Sequence, residues 1–373
     1  MKHKKPFAFS LLAGALLTLS VVASAQTSAA TYKQIATIAI PGNLPSHDIV
    51  WIDPATQRLY LADRGEGKGL GRIDVVDTKT NTFLYSIPTT KGEVGFVGNI
   101  GRGKSGPNGV VLIPQLNQLY VGDGDSTVKV VDLAAKAIVA TIPVCSSASQ
   151  QQALPSGYLV RCSDPKWRAD ELNYDPNDRI VMIANPNDNP PFVTFISVDT
   201  QAVVGQYVYP GGQAQANNPN GGGGLEQPVW DPLIDKFFIT VPATDSSAGS
   251  VDQFDPKTFK REKSYSVPQC NAGPAGLVIT ANQRLMTSCG VLLDARSGNV
   301  FAAPLGLASD QIWYNPGDNR YYFAGSASVV DAETNQLVAN LPGPTGSRIA
   351  VDSNNNHAFT PVAGLGIVVY GVQ

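Results

Sequence analysis

Asp48-Ile-Val-Trp-Ile-Asp-Pro54 is a short apolar run that ends in an Asp-Pro turn and leads straight into a second strand, Arg58–Ala62. The construction recurs at Asn108-Gly-Val-Val-Leu-Ile-Pro114, Asp170-Glu-Leu-Asn-Tyr-Asp-Pro176 and Glu226-Gln-Pro-Val-Trp-Asp-Pro232. Three further copies begin at Ala275-Gly-Leu-Val-Ile-Thr-Ala281, Asp310-Gln-Ile-Trp-Tyr-Asn-Pro316 and Ser347-Arg-Ile-Ala-Val-Asp-Ser353. A unit of strands and turns alone cannot bury both of its faces, so its repetition predicts a radial array in which each unit covers its neighbour. Each unit reads as four strands; in the first they are Asp48–Ile52, Arg58–Ala62, Arg72–Asp77 and Phe83–Ile87. The third strand returns as Val128–Asp132, Thr194–Asp199, Ser250–Asp255, Val291–Asp294 and Ser328–Asp331. Each ends on an Asp, whose carboxylate starts a turn by accepting a backbone amide two residues on.

The last copy supplies only three strands before the chain stops. Tyr32–Ile40, near the other end, carries an Ile-Ala-Thr-Ile-Ala-Ile-Pro pattern that matches the fourth strands Ile138–Pro143 and Leu337–Pro342. Pairing that segment with Gly366–Tyr370 closes the ring and removes an exposed sheet edge. The predicted fold is therefore all-β: a seven-bladed β-propeller, closed by the N-terminal strand in the C-terminal blade and spanning 26–373 as one domain. Two sandwich domains are the alternative, against which the evenness of the repeats speaks.

Residues 1–25 read as a secretory signal: Lys2, Lys4 and Lys5, an apolar stretch from Phe7 to Val22, then Ala23-Ser24-Ala25 as a cleavage site. The expected product starts at about Gln26 and is secreted or periplasmic, soluble and monomeric, with no later membrane span. Losing the three lysines moves the formal charge from −3 to −6. That balance argues against a general grip on nucleic acid. The 36 Gly, 27 Pro and 15% charged residues suit short strands and tight turns. Cys145, Cys162, Cys270 and Cys289 remain after export, and an even count in an oxidising compartment favours disulfides. Neighbours in sequence, 145–162 and 270–289, are the favoured pairs among the three connectivities.

Turns between first and second strands, and between third and fourth, are uniformly short. Long connections (Pro88–Pro107, Pro143–Ala169, Tyr209–Leu225, Arg64–Gly71, Asn185–Val193 and Pro242–Gly249) all emerge on the opposite face. Binding residues concentrate on loops held by a rigid scaffold, which marks the elaborated face as the site. The glycine run Gly221–Gly224 lacks the Lys-Ser/Thr of a phosphate loop and reads as a plain connection.

Each inner strand starts at that face, so its first residues converge on the axis: Asp48, Asn108, Asp170, Glu226, Ala275, Asp310 and Ser347. The next column is Ile49, Gly109, Glu171, Gln227, Gly276, Gln311 and Arg348. Crowded carboxylates repel unless protonated or neutralised. Two states satisfy that: a water-filled acidic funnel, or a bound hard cation (Ca²⁺ or another divalent ion) held by Glu226, Asn108, Asp170 and Asp310. Asp48, Asn108, Asp170, Glu226, Asp310 and Arg348 are the expected ligand-binding set, with Lys166, Trp167 and Arg168 at the rim. His47, at the entrance, is the candidate general base. His357 falls beside the plain-face turn as surface decoration, and Trp230 is expected in the core.

The repeats, signal and closure resemble the secreted YncE-like, YVTN-repeat propellers over essentially the whole mature chain. That resemblance implies the fold and leaves function open. Two stretches also resemble the SMP-30/gluconolactonase family: Leu225-Glu-Gln-Pro-Val-Trp-Asp-Pro232 is similar to its Glu-Gly-Pro-Val-Trp-Asp-Pro motif, and Pro107-Asn-Gly109 to its Pro-Asn-Gly motif. The likeness implies Glu226 and Asn108 as divalent-metal ligands; Gln227, the order of the two motifs and the family's six blades depart from it. The leading expectation is a binding module for a small molecule, peptide or protein on the long-loop face around an acidic channel. The alternative is a divalent-metal-dependent hydrolase or lyase acting on lactone-type substrates.

Overall fold

Seven antiparallel blade sheets follow one another along the chain in the computed structural model, with a separate two-stranded pair, Ala153–Leu154 and Gly157–Tyr158, in the connection between blades 2 and 3. The structure describes residues 1, 30–88, 95–147, 152–155, 157–164, 166–211, 224–244, 248–270, 273–302 and 305–373. The expected signal and most of the glycine run lie outside these residues.

Blade 1 is ordered His47–Asp53, Arg58–Asp63, Lys68–Asp77, Thr82–Ile87, and blade 2 Val110–Ile113, Gln118–Gly122, Thr127–Asp132, Ala137–Pro143. Blades 3 and 4 start at Leu172–Asp175 and Pro228–Asp231, blade 5 at Leu277–Ile279, and blade 6 at Ile312–Asn315. Blade 7 runs Ala350–Asp352, His357–Val362, Gly366–Val372 and then Tyr32–Ile38, which pairs antiparallel with Gly366–Val372 from Tyr32↔Val372 to Ile38↔Ile367. Each inner strand touches the next one around the axis, and Ala350–Asp352 touches His47–Asp53. The ring is closed, and the two-sandwich alternative falls.

The turn aspartates behave as their chemistry predicts. Asp53, Asp231 and Asp352 accept the amides of Ala55 (3.0 Å), Leu233 (2.9 Å) and Asn354 (2.9 Å). Asp77, Asp255 and Asp331 do the same after third strands. The apolar core lies between blades: Val128 and Val130 of blade 2 pack with Ile183 and Ile196 of blade 3. Two disulfides, Cys145–Cys162 and Cys270–Cys289, match the favoured pairing. Among the described residues no helix is long and apolar enough to cross a membrane.

Two expectations need correction. Among the described residues blade 5 has three strands, not four. Among the described residues, the Leu293↔Val300 bridge and the bond from Phe301 N to Leu292 O (2.8 Å) mark the place of its outer strand. Trp230 is half-buried rather than fully in the core: it packs against the cluster between blades 3 and 4 and, with Trp51, Leu112 and Tyr174, lines a cavity of about 250 Å³.

Packing is tight where neighbouring inner strands approach near the axis. A Cβ on Gly109 would meet Asp170 O at 2.5 Å and Glu171 Cα at 2.6 Å; on Gly276 it would meet Asp310 O at 2.5 Å. Backbone cannot yield as a side-chain tip can. Gly109→Ala should therefore lower stability by about 2 kcal/mol or more, in the range of overpacked cores. Gly67→Ala, with nothing within 4 Å of its Cβ, is the control and should be nearly neutral. Equal denaturation midpoints for the two variants would refute the close approach.

Candidate functional site

The first residues of the inner strands do gather at one mouth, on the long-loop face. Trp51 of blade 1 and Trp313 of blade 6 meet edge to face at 5.6 Å although blade 7 lies between them. Both rings therefore reach into the channel below the charged residues, giving the polar mouth an apolar floor.

Asp48 is the buried centre of that mouth. Arg348 donates to its Oδ1 through Nε (2.9 Å) and Nη2, Arg64 donates to its Oδ2, and Arg168 lies 4.0 Å from the same oxygen. Burial alone would raise the Asp48 pKa, but Arg64, Arg348 and Arg168 outweigh it and hold the carboxyl well below the usual range. Arg168 also pairs with Asp170 at 2.7 Å, and Arg348 with Asp310. A buried charge left alone is costly, and these guanidiniums supply both charge and hydrogen-bond partners.

The four proposed metal ligands divide into two groups. Asn108 is committed at both ends of its amide: Oδ1 accepts from Arg64 (2.5 Å) and Nδ2 donates to Ala169 O (3.0 Å). Asp170 belongs to Arg168. Glu226 and Asp310 stand instead with Glu171, their nearest oxygens all within 4.8 Å of one another. Burial lifts the Glu226 pKa to about 8, with Asp310 and Asp170 adding to the rise. Burial, Asp170 and Glu226 lift Glu171 well above the carboxylate range, and burial lifts Asp170 to about 6.

His47 opens the first inner strand beside Asp48. Burial, reinforced by Arg348, lowers its pKa to about 4, so its imidazole is neutral at pH 7; its buried Nδ1 has no hydrogen-bond partner. At the rim, Lys104 covers the Trp167 ring at 4.5 Å and pairs with Asp164 at 2.8 Å. Arg168 and Arg348 turn inward from that rim to the carboxylates.

Two members were missed by sequence reasoning. Arg64 follows the second strand of blade 1, a position outside the aligned inner strands, and no shared motif marks it. Glu171 was visible in the second column but shares it with glycines, glutamines and Ile49, which hid it as a site residue. Gln227 and Gln311 in that column act as staples. Gln227 Oε1 accepts from Leu277 N at 3.2 Å, and Gln311 Nε2 donates to Val50 O at 2.9 Å.

A scan against protein-family models finds no match to this chain, and a search of curated proteins finds no relative. The geometry alone carries the functional reading.

The raised Glu226 pKa has a stability consequence with a definite sign. Its folded value, about 8, exceeds the ordinary 4.5, so its contribution is full below about pH 4.5 and is lost as pH rises through 8. Gln mimics the protonated acid at every pH. Thermal melts in chelator should show the wild type losing more stability than Glu226→Gln between about pH 5 and pH 9. Parallel pH profiles would show that Glu226 is not held protonated.

Proposed function

We propose that this protein is an exported ligand-binding propeller whose long-loop face receives a cationic group, carried by a small molecule or peptide, at the Glu171–Glu226–Asp310 cluster. The observation that carries the reading is the convergence of those three carboxyl groups within 4.8 Å. An ammonium entering there would relieve the repulsion that now favours protonation, and would form charge-assisted hydrogen bonds. The arginines hold Asp48, Asp170 and Asp310 in place and are committed to them. Export fits the two disulfides, which persist in oxidising compartments. The YncE-like resemblance supports the scaffold and adds nothing about the ligand.

The same oxygens favour a second reading, a divalent-metal-dependent hydrolase or lyase. Glu171, Glu226 and Asp310 would hold Ca²⁺ or Mg²⁺, whose chemistry would be Lewis-acid polarisation of a carbonyl. On that reading His47 is a neutral imidazole available to take a proton, though its low pKa makes it a weak base.

Calorimetric titration with amine-bearing peptides and their uncharged acetylated counterparts tests the first reading. The amine forms should bind at least about tenfold more tightly, a difference of 1.4 kcal/mol, and Glu226→Gln should remove that preference. Affinity should also rise from about pH 6 to pH 8, because binding releases the Glu226 proton. Equal binding of charged and uncharged forms would overturn it. Stoichiometric metal in the purified protein, with activity and stability lost to chelator and to Glu226→Gln, would favour the enzyme.

A further inference from the structure

The cavity beside Trp230 opens at the far end of the channel from the carboxylates. Its walls come from the inner strands of blades 1, 2, 3 and 4, which meet only at the axis: Trp51, Leu112, Tyr174 and Trp230. Pro114 and Pro176, in the turns that end two of those strands, place its rim on the plain face. Trp51 also touches Trp313, the contact that floors the long-loop mouth, so one indole stands between the two ends. Among the described residues no charged side chain lines this cavity. Gln115 and Asn173 are its polar residues, and Asn173 Oδ1 already accepts Tyr174 N at 3.0 Å.

The charge around the cavity is one-sided. The seven turns that join first to second strands (53–57, 114–117, 175–179, 231–235, 280–283, 315–319 and 352–356) carry seven aspartates and a single cation, Arg179. Arg179 pairs with Asp199 at 2.6 Å. Asp178 and Asp235 share Lys257, and Asp318 has Arg320 at 3.6 Å. Asp53, Asp175, Asp231 and Asp352 form no ion pair among the described residues; their side chains bond neutral amides and hydroxyls. Two of these directly follow lining residues, Asp175 after Tyr174 and Asp231 after Trp230. Uncompensated carboxylates around an opening with apolar walls focus a negative potential on it.

We infer that this end of the channel is a second ligand site, for a small quaternary amine without an anionic group, such as choline. Aromatic rings attract cations through the negative faces of their π-systems, Trp most of all. A primary ammonium needs acceptors for its N–H donors, and these walls offer few; a quaternary nitrogen has no donor to satisfy. At about 250 Å³ the cavity falls below the pockets of roughly 300 Å³ and more that take drug-sized molecules, so its ligand is small. The turn aspartates favour a cation and repel a ligand that also carries a carboxylate or phosphate. The site is separate from Glu171, Glu226 and Asp310, and stands whether or not the mouth binds an amine.

Titration of the full chain with choline, followed by tryptophan fluorescence and calorimetry, tests the site. The comparison ligands are neohexanol, in which carbon replaces the nitrogen, and glycine betaine, which carries a carboxylate in place of the hydroxyl. Choline should bind at least about tenfold more tightly than either, and added salt should weaken choline but not neohexanol. Trp230→Leu, which keeps an apolar side chain, should lose that preference, and Trp230→Phe should largely retain it. Glu226→Gln should leave choline affinity within about twofold, which separates this site from the mouth. Thermal melts check that each variant folds, and the comparison of ligands on the wild type needs no variant. No choline binding to the wild type, or equal affinity for choline and neohexanol, would overturn the inference. So would choline binding that survives Trp230→Leu and disappears in Glu226→Gln, which would assign it to the mouth.

Discussion

Seven inner strands crowd one axis without sharing a hydrogen-bond ladder, and that crowding governs the rest of the molecule. Where two strands approach most closely the side chain must vanish, as at Gly109 and Gly276. Where there is slightly more room it must bridge, as Gln227 and Gln311 do by bonding neighbouring backbone. The ring holds only because its ends meet. Tyr32–Ile38 takes the outer place in blade 7 and covers the edge of Gly366–Val372.

The same convergence brings acidic residues together at the mouth faster than water can screen them. The protein answers in two ways. Around Asp48 it inserts three guanidiniums, so that this buried carboxylate stays ionised. Around Glu226 and Glu171 no guanidinium among the described residues forms an ion pair, and protonation is favoured instead. One side of the mouth is thus a finished ion-pair network, and the other is an unfilled set of acceptors. That asymmetry is the ground for proposing the ligand beside Glu171 and Glu226, with Asp310 shared with Arg348.

Much of the fold was legible in the sequence because its signals are local and repeated. An Asp that starts a turn does so by bonding its own neighbours, so Asp53, Asp231 and Asp352 declare themselves without tertiary context. The strand-poor end of the chain and the orphan Tyr32 segment were complementary for the same reason. The disulfide partners, each separated by fewer than two dozen residues, were the simplest pairing and are the observed one. The site was legible only in part. Asp48, Asp170, Glu226 and Asp310 could be placed at the mouth by alignment, but their partners depend on how far a long side chain reaches in space. Arg64 acts from a loop, and no alignment of inner strands contains it. Blade 5 lost its fourth strand although its third ends in the same turn aspartate as the rest, since outer-strand pairing depends on the segment that follows. Trp230 was misplaced because an aromatic ring at a core-like position can equally well border a cavity.

Closure of the ring is the claim on which every placement at the mouth rests. Native-state hydrogen exchange read by mass spectrometry tests it directly. Amides of Tyr32–Ile38 should be protected together with those of Gly366–Val372, their ladder partners, and should lose protection in the same cooperative opening. Rapid exchange across Tyr32–Ile38 while Gly366–Val372 stays protected would contradict the closed ring, and with it the meeting of Asp48, Glu226 and Asp310.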